Sequence, residues 1–465
     1  MQTYERLSFL DTSFLALESR TTHMHVASLG LFDAGPMRDA NGGIDIERIR
    51  AYVGSRLHLI PRYRQRLAFV PIERHPVWVD DEHFDLEYHV RHTSLPKPGT
   101  PEQLLDLAGR VLSQQLDRSK PMWELWVVEG LEDDRFAVIS KVHHCMIDGM
   151  AGVELMAVLL GMAPTSDIED APPFKPRPIP DGAELVVRET ARRAGRFLSA
   201  LRSVRQATGD LQAVTLEVAR RLRAISYSLG SGWLSPAAKT PLNGTIGPNR
   251  RFATLDMPLQ DVKDIKNKLG GTVNDAVLAI VAGAVRRYLK RSGAERDGAP
   301  FRVMAPVSVR PPGGQTVSGN HVAMWLAELP IDEPDPKERF RLVAEETLKL
   351  KDTDQALGAS LLVQLSSGAP ITLVALGTRL AASARPFNMT VTNIPGPQFP
   401  IYLLESEMMG QYPLVPLWRS HGLGIALFSY AGTLMWGFNG DLDIMEDITE
   451  FVRCIEESFD ELKQL

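Results

Sequence analysis

Residues 136–160 read FAVISKVHHCMIDGMAGVELMAVLL, an apolar stretch that two adjacent histidines and an Asp-Gly pair interrupt. The β-branched residues between Val138 and His144 predict a strand, and the apolar spacing from Met150 to Leu160 predicts a helix. The polar residues therefore occupy a strand-to-helix turn. Strands that alternate with helices in this way are typical of an α/β or mixed fold.

The same alternation continues on both sides of this stretch. Strand-like segments (MHVASLGLF at 24–32 and WELWVVEGL at 123–131) and a helical one (EQLLDLAGRVLSQQL at 102–116) precede it, and further strands follow from Arg251 onwards. The chain of 465 residues exceeds the roughly 250 to 300 residues that one hydrophobic core serves. The sequence therefore predicts a mixed α/β (α+β) fold with two lobes of similar build, each a mixed sheet flanked by helices.

The segment between the lobes differs from both in composition. Residues 163–182, APTSDIEDAPPFKPRPIPDG, contain six prolines and are expected to be irregular and exposed. Residues 184–223 have helical spacing, and their nine arginines against four acidic residues give a local charge of +5. These helices either bridge the lobes with a solvated face or form a basic surface that meets anionic headgroups or ligand phosphates. The predicted boundaries are an N-terminal lobe at 1–165, a linker at 166–245 and a C-terminal lobe at 246–465.

The overall composition bears on the cellular location of the protein and on the class of partner that it binds. A formal charge of -6 at pH 7 argues against nucleic acid as the main partner. The two cysteines, Cys145 and Cys454, are too few for a disulfide framework and fit free thiols in a reducing cytosol. No secretory signal is recognised, and the longest apolar run, Ala276 to Val285, is far shorter than the roughly 20 residues that cross a bilayer. We expect a cytoplasmic protein, and peripheral membrane contact is compatible with this.

His143 and His144 are the leading candidates for chemistry in the turn. Successive strand residues point to opposite faces, so the two rings are not expected to share a site, and one of them is expected to be structural. This divergence, and the lack of a Cys or Glu at ligand spacing, argue against a metal ion. A nucleophilic Cys145 is disfavoured because it follows His144 directly. A single imidazole at a strand end suits a general base, and the alternative is a core histidine with Asp148 as the helix N-cap.

The string His143-His144-x-x-x-Asp148-Gly149 resembles the motif of the CoA-dependent acyltransferase superfamily, which includes chloramphenicol acetyltransferase and peptide-synthetase condensation domains. Four more segments complete a resemblance to bacterial wax ester synthase/diacylglycerol acyltransferases over nearly the whole chain: LSFLDTSFL near the start, LDRSKPMWELW at 116–126, TVNDAVLA at 272–279 and TNIPGP at 392–397. The resemblance implies two chloramphenicol-acetyltransferase-like lobes joined by a helical linker, with the site in a channel between them.

The resemblance also implies roles for the motif residues. His144, at the second His position, is the base that takes the proton from the acceptor hydroxyl. Asp148 holds the site architecture, and Gly149 keeps the turn open for substrate. Asn274 and Asp275 come from the other lobe and are implied as part of the site, where the thioester oxyanion needs a donor. The alternative for this pair is that it caps the helix that follows.

Three further residues are predicted to bind substrate or to support the motif. Trp123 belongs to LDRSKPMWELW and is assigned to substrate binding by the resemblance. Arg310 is expected to pair with Asp148, because a buried carboxylate without a partner is costly. Asn393 lies where a strand meets a Pro-Gly-Pro turn, and it either lines the acyl channel or shapes the loop. His25 is expected to be structural.

Together these features predict an enzyme that moves a long acyl chain from acyl-CoA to the hydroxyl of diacylglycerol or a fatty alcohol. Acyl-CoA is then a substrate, and no metal or bound cofactor is expected. Because both substrates are apolar, reversible association with a membrane or lipid-droplet surface is expected too. Two alternatives stay open: a condensation or small-acceptor acyltransferase with the same motif, and a catalytically weak protein that coats lipid surfaces through the Arg-rich segment.

Overall fold

The computed structural model describes residues 3–146, 154–192, 195, 235–294, 298–308, 322–352 and 385–465. Within these ranges the chain forms two six-stranded sheets, a three-stranded sheet and two large hydrophobic cores. The predicted mixed α/β fold with two lobes is confirmed. Asp148, Gly149, Arg310 and most of the Arg-rich segment lie outside the described residues.

The first lobe begins with a short strand and a capped helix, and its last strand leads into the histidine turn. Its strands are β1 (Glu5–Arg6), β2 (His25–Asp33), β3 (Gln65–Phe69), β4 (Pro76–Asp80), β5 (Val90–Ser94), β6 (Trp123–Glu129) and β7 (Arg135–His143). Its helices are α1 (Phe9–Leu17), α2 (Ile46–Arg56), α3 (Leu86–His89), α4 (Pro101–Ser113) and α5 (Glu154–Leu159).

The second half of the chain repeats the alternation of strands and helices. Its strands are β8 (Arg250–Pro258), β9 (Arg302–Ser308), β10 (Val322–Glu328), β11 (Met389–Pro395), β12 (Tyr402–Leu403), β13 (Ser406–Leu414), β14 (Leu423–Tyr430) and β15 (Thr433–Asp441). Its helices are α6 (Leu259–Leu269), α7 (Val273–Arg291), α8 (Pro336–Asp352) and α9 (Ile448–Lys463).

Two strands of the second half, β12 and β13, belong to the sheet of the first lobe. The first sheet has the order β12-β13-β2-β7-β6-β5, and the second has the order β10-β9-β11-β14-β15-β8. Strand β13 pairs antiparallel with β2, so that Tyr412 lies opposite Leu29. The two lobes are therefore joined by shared backbone hydrogen bonds as well as by the linker.

The contact between β13 and the second sheet is unusually close at one point. A Cβ atom on Gly437 of β15 would lie 1.9 Å from the carbonyl oxygen of Pro413 in β13. Real Cβ atoms do not approach an oxygen this closely, so only glycine lets the two sheets meet here.

Helix α7 explains the longest apolar run in the sequence. All ten residues from Ala276 to Val285 are buried in the second core. Within the described ranges, no single helix is long and apolar enough to cross a membrane; α6 and α7, bent by 96°, pass such a test only as a pair.

A buried ion pair connects the end of the second sheet to the first lobe. Nη1 of Arg250 lies 3.3 Å from Oδ2 of Asp441, and its Nη2 donates to the carbonyl of Thr21. The backbone N–H of Arg250 donates to Oγ of Ser113 at the end of α4 (2.8 Å). Since Arg250 and Asp441 are almost fully buried, this junction depends on both charges being present.

The described part of the linker packs along the three-stranded sheet. Residues 163–181 are irregular and mostly exposed, as predicted from their prolines, and residues 182–192 are helical. Arg177 binds the buried Asp80 through Nε (2.9 Å) and Nη2 (2.6 Å). The buried Glu189 accepts from the hydroxyl of Tyr4 (2.9 Å) and pairs with Arg192 (3.0 Å).

Candidate active site

The histidine turn begins where β7 ends. The strand stops at His143, and a short 3-10 turn follows over His144–Met146. The N–H of His143 donates to the carbonyl of Met122 (2.9 Å), and the N–H of His144 donates to the carbonyl of Met24 (2.7 Å). The segments that lead into β6 and β2 thus hold the turn from both sides.

The ring of His144 lies against an aromatic side chain from α1. It stacks on Phe14 with ring centroids 3.8 Å apart and an angle of 22° between the planes. Its Nδ1 atom is enclosed and has no hydrogen-bond partner among the described residues. Burial lowers the pKa of His144 to about 4. The imidazole is therefore neutral at pH 7, which is the state that can accept a proton.

His143 faces a different environment from its neighbour. The residue is 1% exposed, and its Nδ1 atom accepts a hydrogen bond from the N–H of Cys145 (3.1 Å). Its Nε2 atom lies 3.5 Å from Oε1 of Glu18. The two histidine rings thus have separate surroundings, as the alternation of side chains along a strand predicts.

Glu18 is the centre of a buried polar cluster behind the turn. Its Oε1 atom also lies 3.3 Å from Nε2 of His25, and its Oε2 atom accepts from Nε of Arg118 (2.9 Å). Burial acts to raise the pKa of Glu18, but the neighbouring imidazoles of His143 and His25 outweigh it and hold the pKa well below its usual range. Burial lowers the pKa of His25 to about 3. The cluster therefore holds an ionised carboxylate beside a neutral His25.

The sequence had not singled out Glu18. Neither Glu18 nor His25 belongs to the histidine motif, so from the sequence His25 is expected to be structural and Glu18 has no predicted role. The only available signal was that Glu18 follows LSFLDTSFL closely, and spacing along the chain does not reveal a contact between distant segments.

Cys145 has the surroundings of an inert thiol. The residue is 3% exposed, and burial raises its pKa well above its ordinary value. The thiolate needed for nucleophilic catalysis is therefore disfavoured at neutral pH. This burial argues against a catalytic role for Cys145.

Asp275 caps helix α7. Its Oδ2 atom accepts from the N–H and the hydroxyl of Thr272 (2.8 Å each), and its Oδ1 atom accepts from the hydroxyl of Thr347 (2.6 Å). A cavity of about 350 Å³ opens beside this cap and is lined in part by Thr272, Asp275 and Leu348. Asn274 is the half-buried neighbour. The contacts of Asp275 match the capping alternative that the sequence left open.

Trp123 is enclosed in the first core. It is 0% exposed, its Nε1 atom donates to the carbonyl of Tyr63 (2.8 Å), and its ring stacks on His89 at 4.6 Å. The resemblance predicts substrate binding for this residue; within the described part of the chain its indole is enclosed and its side-chain donor is used by Tyr63. Asn393 is half-buried in β11, opposite Leu427 of β14.

The predicted contact between Asp148 and Arg310 lies outside the described residues, as does Gly149. In the described part of the chain, no group of three His, Cys, Asp or Glu side chains is arranged to hold a metal ion. The cluster around Glu18 is therefore an arrangement of hydrogen-bonding and charged groups.

Two family models and a mycobacterial relative match the sequence over most of its length. The sequence matches the wax ester synthase/diacylglycerol acyltransferase catalytic domain over residues 7–277 and the WS/DGAT C-terminal domain over residues 318–463. It is 31% identical to a probable diacylglycerol O-acyltransferase of Mycobacterium tuberculosis, covering 97% of this chain and 94% of the relative.

Two solved structures resemble this chain over nearly its whole length. A wax ester synthase/diacylglycerol acyltransferase from Marinobacter aquaeolei VT8 is similar with a TM-score of 0.70 and 25% identity, over 99% of each chain. The starter condensation domain of rhizomide synthetase, solved with C8-CoA and Leu-SNAC, has a TM-score of 0.60 and 14% identity, over 99% of this chain and 94% of that one. The second likeness indicates a shared fold.

Proposed function

Because the chain belongs to the wax ester synthase/diacylglycerol acyltransferase family, we infer that it moves a long-chain acyl group from acyl-CoA to the hydroxyl of diacylglycerol or a fatty alcohol. The chain is an O-acyltransferase. The observation that most supports the inferred mechanism is the neutral imidazole of His144, held against Phe14 at the end of a buried strand.

In the proposed mechanism, Nε2 of His144 takes the proton of the acceptor hydroxyl while the oxygen attacks the carbonyl carbon of the thioester. The tetrahedral intermediate collapses with cleavage of the C–S bond, and the imidazolium returns the proton to the leaving CoA thiolate. The negative charge that develops on the thioester oxygen favours the imidazolium, so the ring becomes a stronger base as the reaction proceeds. This route needs no metal or bound cofactor.

The oxyanion of the intermediate needs a hydrogen-bond donor. Both side-chain oxygens of Asp275 are already used as acceptors, from Thr272 and from Thr347, and supply no donor to an oxyanion. We therefore assign Asn274 as the candidate donor of this pair and Asp275 as the residue that fixes the helix end. Asn393 remains a candidate for the wall of the acyl channel, and Asp148 with Arg310 remains the proposed support of the turn.

The test of this function is an assay of the purified protein with palmitoyl-CoA and either dioleoylglycerol or hexadecanol. We expect CoA release that depends on the acceptor and matches the ester formed. A reaction without acceptor measures hydrolysis, and one with hexadecylamine tests the condensation alternative. CoA release that is equal with and without the alcohols, or that requires the amine, would contradict the proposal.

We also propose reversible association with a membrane or lipid-droplet surface, because the acceptor and the acyl chain of the donor are apolar and the Arg-rich segment carries +5 within an acidic chain. Attraction of a basic residue to an anionic surface is worth about 1 kcal/mol and falls off over a Debye length of about 8 Å at physiological salt. Binding to anionic vesicles should therefore weaken as salt is raised.

Co-sedimentation with anionic and neutral vesicles at low and high salt would measure this binding. The test variant changes Arg193, Arg196, Arg220 and Arg221 to Gln, and the control changes the same four residues to Lys. Arg192 is left unchanged because it pairs with the buried Glu189. We expect the Gln variant to lose salt-sensitive binding and the Lys variant to keep it. Equal binding of both variants to both lipids would show that these arginines do not recruit the protein.

A further inference from the structure

The end of helix α1 contacts both histidines of the motif. Phe14, in the helix, stacks on His144, and Glu18, the residue that caps the helix, faces His143. The N–H of Glu18 donates to the carbonyl of Phe14 (3.1 Å), so the two contacts belong to one helix end. A single element thus holds the turn on two sides.

The hydrogen bond to Cys145 determines which nitrogen of His143 carries the proton. Because the N–H of Cys145 donates to Nδ1 of His143, this Nδ1 must present a lone pair. In the neutral ring the proton then sits on Nε2, which points to Oε1 of Glu18 at 3.5 Å. Arg118 binds the other oxygen of Glu18 and keeps the carboxylate in place.

We propose that Glu18 is a positioning residue of the enzyme: it holds His143 in the Nε2–H tautomer, so that Nδ1 accepts from Cys145 and fixes the turn that carries His144. This inference rests on the proposed function, in which His144 is the base. Glu18 contacts no reacting atom, and it acts through His143. The neighbouring His25, 3.3 Å from the same carboxylate oxygen, encloses the cluster on the far side.

Glutamine is the informative replacement for Glu18 because it has nearly the same shape and no charge. Its amide NH2 group must face either Arg118, which offers only donors, or Nε2 of His143. In the second case His143 must shift its proton to Nδ1, where it opposes the N–H of Cys145. Glu18→Gln therefore cannot satisfy both partners, and the turn should lose its fixed geometry.

The matched control is Glu189→Gln. The side chains of Glu18 and Glu189 are both 3% exposed and both pair with arginine, but Glu189 lies on the linker helix. We expect Glu18→Gln to lower kcat about 10- to 100-fold, as displacement of a catalytic group does, with KM for palmitoyl-CoA changed less than about two-fold. Glu189→Gln should leave both constants near those of the native enzyme.

The tautomer of His143 can be measured directly by long-range ¹H–¹⁵N correlation in protein labelled at histidine. The signal of His143, one of 11 histidines, is assigned from its loss in His143→Gln. We expect Nε2–H in the native enzyme and in Glu189→Gln, and a mixture or Nδ1–H in Glu18→Gln. The native measurement stands even if Glu18→Gln does not fold.

Three results would overturn the proposal: Nδ1–H in the native enzyme, native kcat in Glu18→Gln, or a lowered kcat with the His143 tautomer unchanged. Failure of the proposed function looks different. In that case His144→Ala would retain turnover, while the response of the His143 signal to Glu18→Gln would still report on the pairing of these two residues.

Discussion

Replacing His144 with alanine is expected to lower acyl transfer by about 10²- to 10⁴-fold, the contribution of a positioned general base. The fold should survive, because the residue is half-buried at the end of β7 and its ring contacts one face of Phe14. The measurements are CoA release with palmitoyl-CoA and hexadecanol, and thermal unfolding of the same preparation. A folded variant with near-native turnover would show that another group takes the proton.

His143→Ala provides the comparison. This substitution leaves the carboxylate of Glu18 facing a cavity, and the N–H of Cys145 loses its acceptor. We expect a lower unfolding temperature than for His144→Ala, with loss of activity as a consequence of the disturbed turn. The unfolding temperature should therefore distinguish the two variants: His143→Ala lowers it more, whereas His144→Ala loses turnover and keeps its fold.

Replacing Asp441 with alanine is expected to destabilise the protein by about 3 to 5 kcal/mol, the usual effect of removing one partner from a buried ion pair. The side chains of Arg250 and Asp441 are 3% and 0% exposed, so the guanidinium would stay buried without its counter-charge. The carboxylate also accepts from three backbone N–H groups, those of Gly247, Asp443 and Ile444. The measurement is the midpoint of urea unfolding.

The control for this prediction is Asp261→Ala. Asp261 pairs with Lys463 at 2.6 Å on the surface of the second lobe, where water screens the charges. We expect almost no change in its unfolding midpoint, and an intermediate change for Asp441→Asn. Equal shifts for Asp441→Ala and Asp261→Ala would show that the buried junction contributes no more than a surface pair.

The local elements were predictable because their signals are local. The strand-like segments at 24–32 and 123–131 appear as β2 and β6, and the helical segment at 102–116 appears as α4. The spacing of apolar residues, which predicts these elements, does not depend on distant parts of the chain. The ends of these elements differ from the prediction by a few residues, as backbone capping decides them.

The contacts across the fold were not predictable in the same way. Glu18 meets His143 because α1 lies beside the end of β7, and no pattern in either segment encodes that neighbour. Trp123 suits a binding site and a core equally well by residue type, and its enclosure by Tyr63 and His89 is visible only in the folded chain. For Asp275 the ambiguity is chemical, since an acidic residue at a helix start can be both a cap and part of a site.

The position of β13 also affects how the protein is made. During synthesis the first lobe emerges with β2 as the outermost strand of its sheet, and its edge stays unpaired until residues 406–414 have left the ribosome. An open strand edge is a template for pairing with other chains. The nascent first lobe is therefore expected to need a chaperone, or rapid synthesis of the rest of the chain, to avoid association with a neighbour before β13 covers this edge.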